Sequence, residues 1–359
     1  MSVSPPSADR LLRWYHVHRR VLPWRAAPGD RPDPYHVWLS EIMLQQTVVA
    51  TVIPYFHRFI ERYPTIVDLA AAADEDILGL WAGLGYYARA RNLIRCARAV
   101  TAAGGFPATL EGLHNLPGIG PYTAAAVGAI AFGLPVVPVD GNVERVAARI
   151  FAIETPLPAA KAEIATAASR LGAQDAACAS PGDFAQALFD LGATICTPRS
   201  PSCMICPWRE GCAAQARAIA AELPRKARRA ARPMRHGTVF VMRDRSGAIG
   251  LRRRPPRGLL GGMLELPGTG FEAAPGQADP PCTADWVDAG SIGHVFTHFE
   301  LRLLVLAAEV PKLPPDLEAK SPETPLPTVM RKALDAGLAA LGDDDAGRKK
   351  PRATRSGVR

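Results

Sequence analysis

The sequence predicts a multidomain protein of two fold classes, an all-α domain to about residue 217 followed by a smaller α/β domain from about residue 236. Three observations predict it. The chain has 359 residues, more than one ordinary core serves. Its apolar residues recur at three and four positions through the first part and shorten their period in the last. Between the two, residues 218–235 turn alanine-rich and basic and hold Pro224 and Pro233, the composition of a linker.

The elements follow in order. Val37, Ile42, Met43 and Leu44 place a helix early in the chain, and Pro64, Gly104, Gly105 and Gly133 mark turns. LPGIGPYTAAAVGAIAFG, residues 116–133, reads as a helix end, a tight turn and a helix of small residues. Gly118 and Gly120 permit close backbone geometry there, and the free amides opening the next helix suit a phosphate oxygen. This is a helix–hairpin–helix pattern, suited to a DNA backbone without base preference. In the following VDGNVER, Asp140 stands where a helix N-cap is expected. Thr238–Met242, Gly250–Leu251 and Leu301–Val310 read as strands, and Pro327–Leu341 as a closing helix. The tail 342–359 has the composition of a disordered segment.

Bulk properties narrow the function. The chain is 48% hydrophobic and carries a net charge of +8, a balance that fits a globular protein with a polyanionic partner. No apolar run has the length of a membrane span, and the N-terminus lacks the apolar centre of a signal peptide, so a cytoplasmic, nucleoid-associated protein is expected. In a reducing compartment clustered cysteines point to metal. CTPRSPSCMICPWREGC places Cys196, Cys203, Cys206 and Cys212 within reach of one centre, and the spacing suits zinc or an iron–sulfur cluster equally. Cys96, Cys178 and Cys282 are expected to be buried small side chains.

The hairpin, Asp140 and the cysteine spacing together resemble the endonuclease III superfamily of DNA glycosylases, and over nearly the whole chain the adenine DNA glycosylase (MutY) family. That resemblance implies a monofunctional hydrolase that removes adenine mispaired with 8-oxoguanine or guanine in double-stranded DNA, acting as a monomer to initiate base excision repair. It implies one [4Fe–4S] cluster per chain on the four cysteines, with Arg199 and Arg209 of the same loop meeting DNA phosphates. Relatives that also cleave the strand carry a lysine two residues after the hairpin's last glycine. Tyr122 stands there instead, and a phenol forms no Schiff base.

Site residues carry over position by position. In VWLSEIMLQQT, Glu41 lies among apolar neighbours that keep a carboxyl protonated, as a general acid requires. Asp140 matches the carboxylate that meets the developing oxocarbenium, Asn142 and Tyr122 match residues that hold the carboxylates and sugar, and Trp24 and Arg25 match the wall of the adenine pocket. Gln46, with Thr47 beside it, and Tyr86 match the wedge next to the base opposite adenine. Arg89, Arg91, Arg95 and Arg98 form a basic run placed to steer the DNA backbone.

In the second domain, GLLGGMLELPGTG looks like the strand and loop of a Nudix fold, but the acidic magnesium-binding helix is missing, which implies the fold without pyrophosphatase activity. Phe296, Thr297 and His298 match the loop that senses 8-oxoguanine, with threonine in place of the usual serine and its hydroxyl retained.

Overall fold

The structure, a computed structural model, describes residues 4–27, 30, 32–227, 232–255, 258–276, 278–296 and 298–342. The chain divides into two compact units, Met1–Arg228 and Arg229–Arg359.

The first unit is helical from Ala8–His18 through Ala213–Ala216. Its helices begin and end where local chemistry dictates. Asp33 caps Pro34–Leu44 by accepting from Tyr35 N, and Pro34 occupies a first-turn position where a missing N–H costs nothing. This helix is apolar nearly all round and buries Tyr35, Val37, Trp38, Leu39, Ile42 and Met43, so Glu41 is carried into the interior with them. The Pro121–Phe132 helix starts at Gly120 and Pro121 and stops at Gly133, whose φ of 66° is the left-handed cap that glycine favours. Its small residues allow close packing: a side chain on Gly182 of the facing helix would meet Ala129 O at 3.1 Å.

Two apolar cores hold this unit. One gathers Trp38, Phe59, Trp81 and Leu93. The other gathers Tyr15, Val146, Ile164, Phe184 and Trp208. The Gly141–Ile150 helix belongs to the second core, and the Pro34–Leu44 helix to the first, while Ile130 packs against both. Glu41 of the Pro34–Leu44 helix and Asp140 and Asn142 at the start of the Gly141–Ile150 helix line one cavity along that seam.

The basic segment after residue 217 is more ordered than a tether through its first half. Ala220 and Leu223 are buried against Ala214, Leu157 N donates to Arg225 O at 2.8 Å, and Ala227 N donates to Leu157 O at 2.9 Å. Leu223 is the reason, since it gives the segment an apolar anchor on the helical unit. Arg228 and Arg229 lie outside the described residues.

The second unit is a six-stranded mixed sheet in the order β3-β2-β1-β5-β4, with β6 paired to β2. The strands are β1 Met234–Asp244, β2 Ile249–Arg253, β3 Leu264–Glu265, β4 Val287–Val295, β5 Glu300–Val310 and β6 Glu318–Lys320. β1 and β5 run parallel with Val239 opposite Val305, and β4 runs antiparallel to β5 with an irregularity between Asp288 and Ser291. The Thr328–Ala340 helix packs Met330, Ala333 and Leu334 onto Val241, Leu303 and Val305. Gly337 is required at this contact, because a Cβ there would fall 2.5 Å from the Val241 side chain. The tail from residue 343 lies outside the described residues. No helix among the described residues is long and apolar enough to cross a membrane.

Candidate active site

A cavity of ≈ 890 Å³ lies on the seam of the helical unit, and Glu41, Tyr122, Asp140 and Asn142 all line it. The two carboxylates, far apart in the chain, are thus brought to one space. Glu41 is 7% exposed and receives a hydrogen bond from the Tyr122 hydroxyl. Burial pushes its carboxyl up to about 7; the Tyr122 hydrogen bond opposes this, the Asp140 charge adds to it, and Arg25 counters it. The Tyr122 phenol is itself raised, chiefly by burial and then by Glu41 and Asp140, so it stays a donor.

Asp140 has the opposite setting. It caps the Gly141–Ile150 helix, its Oδ1 accepting from Asn142 N at 2.9 Å and Val143 N at 2.8 Å. Its Oδ2 accepts from Asn142 Nδ2 at 2.8 Å. Donors and the helix N-terminus both complement a negative charge at this point. Asn142 fits there because residue 192 is glycine: a Cβ on Gly192 would sit 2.6 Å from that of Asn142. Gly192 lies in a π-helical turn, Leu191–Ile195, a local irregularity often found beside functional groups.

The pocket wall is held from behind. Arg25 donates through both terminal nitrogens to Asp190, at 2.8 Å each, and Arg20 Nε donates to the same carboxylate at 2.5 Å. Asp190 is fully buried; burial pushes its carboxyl up, but the hydrogen bonds and charges of Arg25 and Arg20 outweigh this and hold it below the ordinary range. Trp24 meets Phe56 edge to face at 5.5 Å. Gln186, mostly buried, lines the same cavity.

At the mouth stand Gln46 and Thr47, both lining the cavity, while Tyr86 lies in a neighbouring loop and is 57% exposed. The basic run beside it divides. Arg89 is buried, because it satisfies carbonyls at the end of the Pro34–Leu44 helix, and so is not placed to steer a DNA backbone. Arg95 and Arg98 are exposed. In the hairpin, Gly118 has φ 76° and packs so closely on Asn92 that a Cβ would lie 2.5 Å from its side chain, whereas Gly120 serves as the N-cap of the next helix.

Cys196, Cys203, Cys206 and Cys212 face one hollow walled by Val146, Ile150, Leu191 and Ile195. Arg149, 1% exposed, reaches it and donates to Cys196 Sγ at 3.2 Å. Burial pushes the Cys206 thiol up to about 12, with the other three sulfurs adding to the rise against a backbone hydrogen bond from Trp208. Four cysteine sulfurs facing one hollow form a soft, all-sulfur donor set, which suits an iron–sulfur group. Among the described residues, no three His, Cys, Asp or Glu side chains are set around a single metal ion. Arg199 and Arg209 are exposed on the same loop. Of the remaining cysteines Cys96 is buried, Cys282 is half-buried and Cys178 is exposed, contrary to expectation, because its five-residue helix buries only Ala177.

One hydrogen-bonded path joins the two centres and was not found in the sequence. Arg145 donates to Asn142 Oδ1 at 2.8 Å, Gly192 O at 2.7 Å and Cys196 O at 2.7 Å. The available signal was two arginines four apart, Arg145 and Arg149, set among Val143, Val146, Ala147 and Ile150 of one helix.

In the second unit, Phe296 lies at the turn between β4 and β5, with its N donating to Phe299 O at 2.9 Å. Its ring meets His294 at 4.6 Å and Phe299 at 4.9 Å. His298 is exposed, and Thr297 lies outside the described residues.

Comparison with known proteins fits this geometry. Residues 39–172 match the HhH-GPD superfamily base excision DNA repair protein family, residues 196–212 the iron–sulfur binding domain of endonuclease III, and residues 238–336 the NUDIX domain. Adenine DNA glycosylase of Homo sapiens is 34% identical, covering 88% of this chain and 68% of the human one. That of Mycolicibacterium smegmatis is 41% identical over 58% of this chain and 68% of its own. A thermostable thymine-DNA glycosylase structure is similar with a TM-score of 0.51 at 30% identity, covering 58% of this chain and 95% of that one.

Proposed function

The chain belongs to the adenine DNA glycosylase family, and from that premise we propose that it hydrolyses the N-glycosidic bond of adenine mispaired with 8-oxoguanine, or guanine, in duplex DNA. The observation that carries this reading is the pairing, in one cavity, of a carboxyl kept protonated near neutrality with a carboxylate held by three N–H donors.

The flipped adenine enters the cavity between Trp24 and the Glu41 helix. Glu41 gives its proton to N7 of the base. The C1′–N9 bond then breaks with its electron pair on adenine, which leaves neutral, and the sugar gains oxocarbenium character that Asp140 stabilises. Glu41, now ionised, takes a proton from water as its oxygen bonds to C1′, which restores the acid. Tyr122 orients Glu41, and Asn142 orients Asp140. Tyr122 offers no amine, so no strand cleavage accompanies excision.

Cys196, Cys203, Cys206 and Cys212 would hold a [4Fe–4S] cluster, one per chain, which would fix the fold of residues 196–212 and take no part in bond cleavage, while Arg149 links that loop to the Gly141–Ile150 helix through Cys196 Sγ and Thr197 O. Arg199 and Arg209 on that loop meet DNA phosphates. Gln46 and Tyr86 fill the space left beside the partner base, and Phe296, Thr297 and His298 read 8-oxoguanine. The protein works as a monomer.

Glu41→Gln tests the chemistry: excision is lost while duplex binding, read by a mobility shift, stays within about threefold of wild type, since the amide keeps the shape. Excision at the wild-type rate would remove Glu41 from the mechanism.

A further inference from the structure

Two loops flank the mouth of the cavity, and each contains a non-glycine residue in left-handed backbone: Gln46 at φ 57° and Tyr86 at φ 49°. Side chains disfavour that conformation, so it persists only where surrounding contacts impose it. A single guanidinium supplies contacts to both loops. Arg89, 8% exposed, donates from Nη1 to Ile42 O at 3.0 Å, Met43 O at 2.9 Å and Gln45 O at 2.6 Å. From Nη2 it donates to Leu84 O at 3.0 Å and Thr47 Oγ1 at 3.2 Å.

The first set closes the Pro34–Leu44 helix, whose last carbonyls have no partner within the helix and whose C-terminal end favours a cation. In the second set the Leu84 contact crosses to the other loop, where the guanidinium also lies 5.6 Å from the Tyr86 ring and 5.2 Å from the Trp81 ring. Trp81 Nε1 donates to Gly85 O at 3.0 Å and braces the same turn. The outcome is that Gln46 and Tyr86 both present exposed side chains on loops that are braced from behind.

We propose that Arg89 is the positioning residue that sets both loops, so that Gln46 and Tyr86 stand in fixed register before a duplex arrives. The functional part of this inference rests on the reading of those two residues as the wedge beside the base opposite adenine. A preset pair of loops need not be ordered on binding, which spares the conformational entropy that binding otherwise loses. Lysine cannot replace this arginine: it keeps the charge but not the planar fork that spans two sets of carbonyls.

The test uses full-length, cluster-loaded Arg89→Lys beside wild type, with Arg89→Gln as the second variant should lysine fail to fold. In free protein, hydrogen exchange at the amides of residues 45–47 and 84–86 is expected to speed up by about 10-fold or more, with the rest of the helical unit unchanged. In single-turnover reactions, excision of adenine opposite 8-oxoguanine is expected to fall about 10-fold or more. Excision opposite an abasic-site analogue, which presents no base to the wedge, is expected to change little, and the pH midpoint of the rate to stay in place. Unchanged exchange in either loop overturns the proposal whatever the excision assay reads. Equal losses on both duplexes, or a displaced midpoint, also overturn it, since Arg89 would then act through the helix that carries Glu41. If wild type excises no adenine, the functional reading fails, and the exchange measurement still tests the clamp.

Discussion

Replacing Glu41 by glutamine should make the helical unit more stable, and increasingly so as pH rises. The Glu41 carboxyl moves from 4.5 to about 7 on folding, mainly through burial. A tenfold change in proton affinity corresponds to about 1.4 kcal/mol, so the fold loses on the order of 3 kcal/mol once the group must ionise. The sign follows from the direction in which folding moves the carboxyl. Below 4.5 the carboxyl is protonated in both states and the full stability is present. Between 4.5 and 7 the unfolded chain ionises freely while the folded one holds its proton, and stability falls until the folded carboxyl ionises too. Glutamine has nothing to ionise and its Oε1 still accepts from the Tyr122 hydroxyl. The difference between variant and wild type should therefore be close to zero at pH 4.5 and reach its limit above pH 8. For a unit of this size that limit is roughly 6–12 °C in Tm. Calorimetry of both proteins across that pH range measures it, at a fixed scan rate because cluster loss makes unfolding irreversible. A difference that is the same at every pH, or a destabilised variant at pH 8, would refute the assignment of Glu41 as a buried acid that resists ionisation.

Other consequences follow from the same site. Tyr122→Phe removes a hydrogen bond that lowers the Glu41 carboxyl, so the alkaline limb of the pH–rate profile should move upward from its wild-type midpoint near 7, and a downward move would contradict the geometry. Asp190→Asn leaves two arginines without their shared buried counter-ion, and denaturant unfolding should show a loss of about 3–5 kcal/mol. Iron and acid-labile sulfide should each be found at four per chain, and Cys206→Ser should lower both together with the thermal midpoint; a colourless zinc protein prepared without oxygen would exclude the cluster.

The helical and α/β classes were legible because periodicity survives in the parts that carry the cores, such as Val239 and Val241 of β1 or Val143, Val146 and Ala147 of the Gly141–Ile150 helix. β4 was not, since Gly290 and Gly293 interrupt it and it sits at the sheet edge with no side chain fully buried. At the site, Glu41 and Asp140 were visible as acids in telling local settings, an apolar helix and a helix start. What escaped was everything that depends on contacts across the chain. Asp190 reads as an acid at a helix end until Arg20 and Arg25 are seen folded against it, 170 and 165 residues away. Arg89 reads as part of an exposed basic face, because the carbonyls it satisfies belong to another helix.

The most direct measurement is single-turnover reaction of wild-type protein with a duplex holding adenine opposite 8-oxoguanine, with strand scission read before and after alkali. Adenine release with scission only after alkali is the predicted result, from Glu41 as acid and Tyr122 in place of an amine. Scission without alkali would contradict the monofunctional mechanism, and no release of adenine would contradict the proposed function itself.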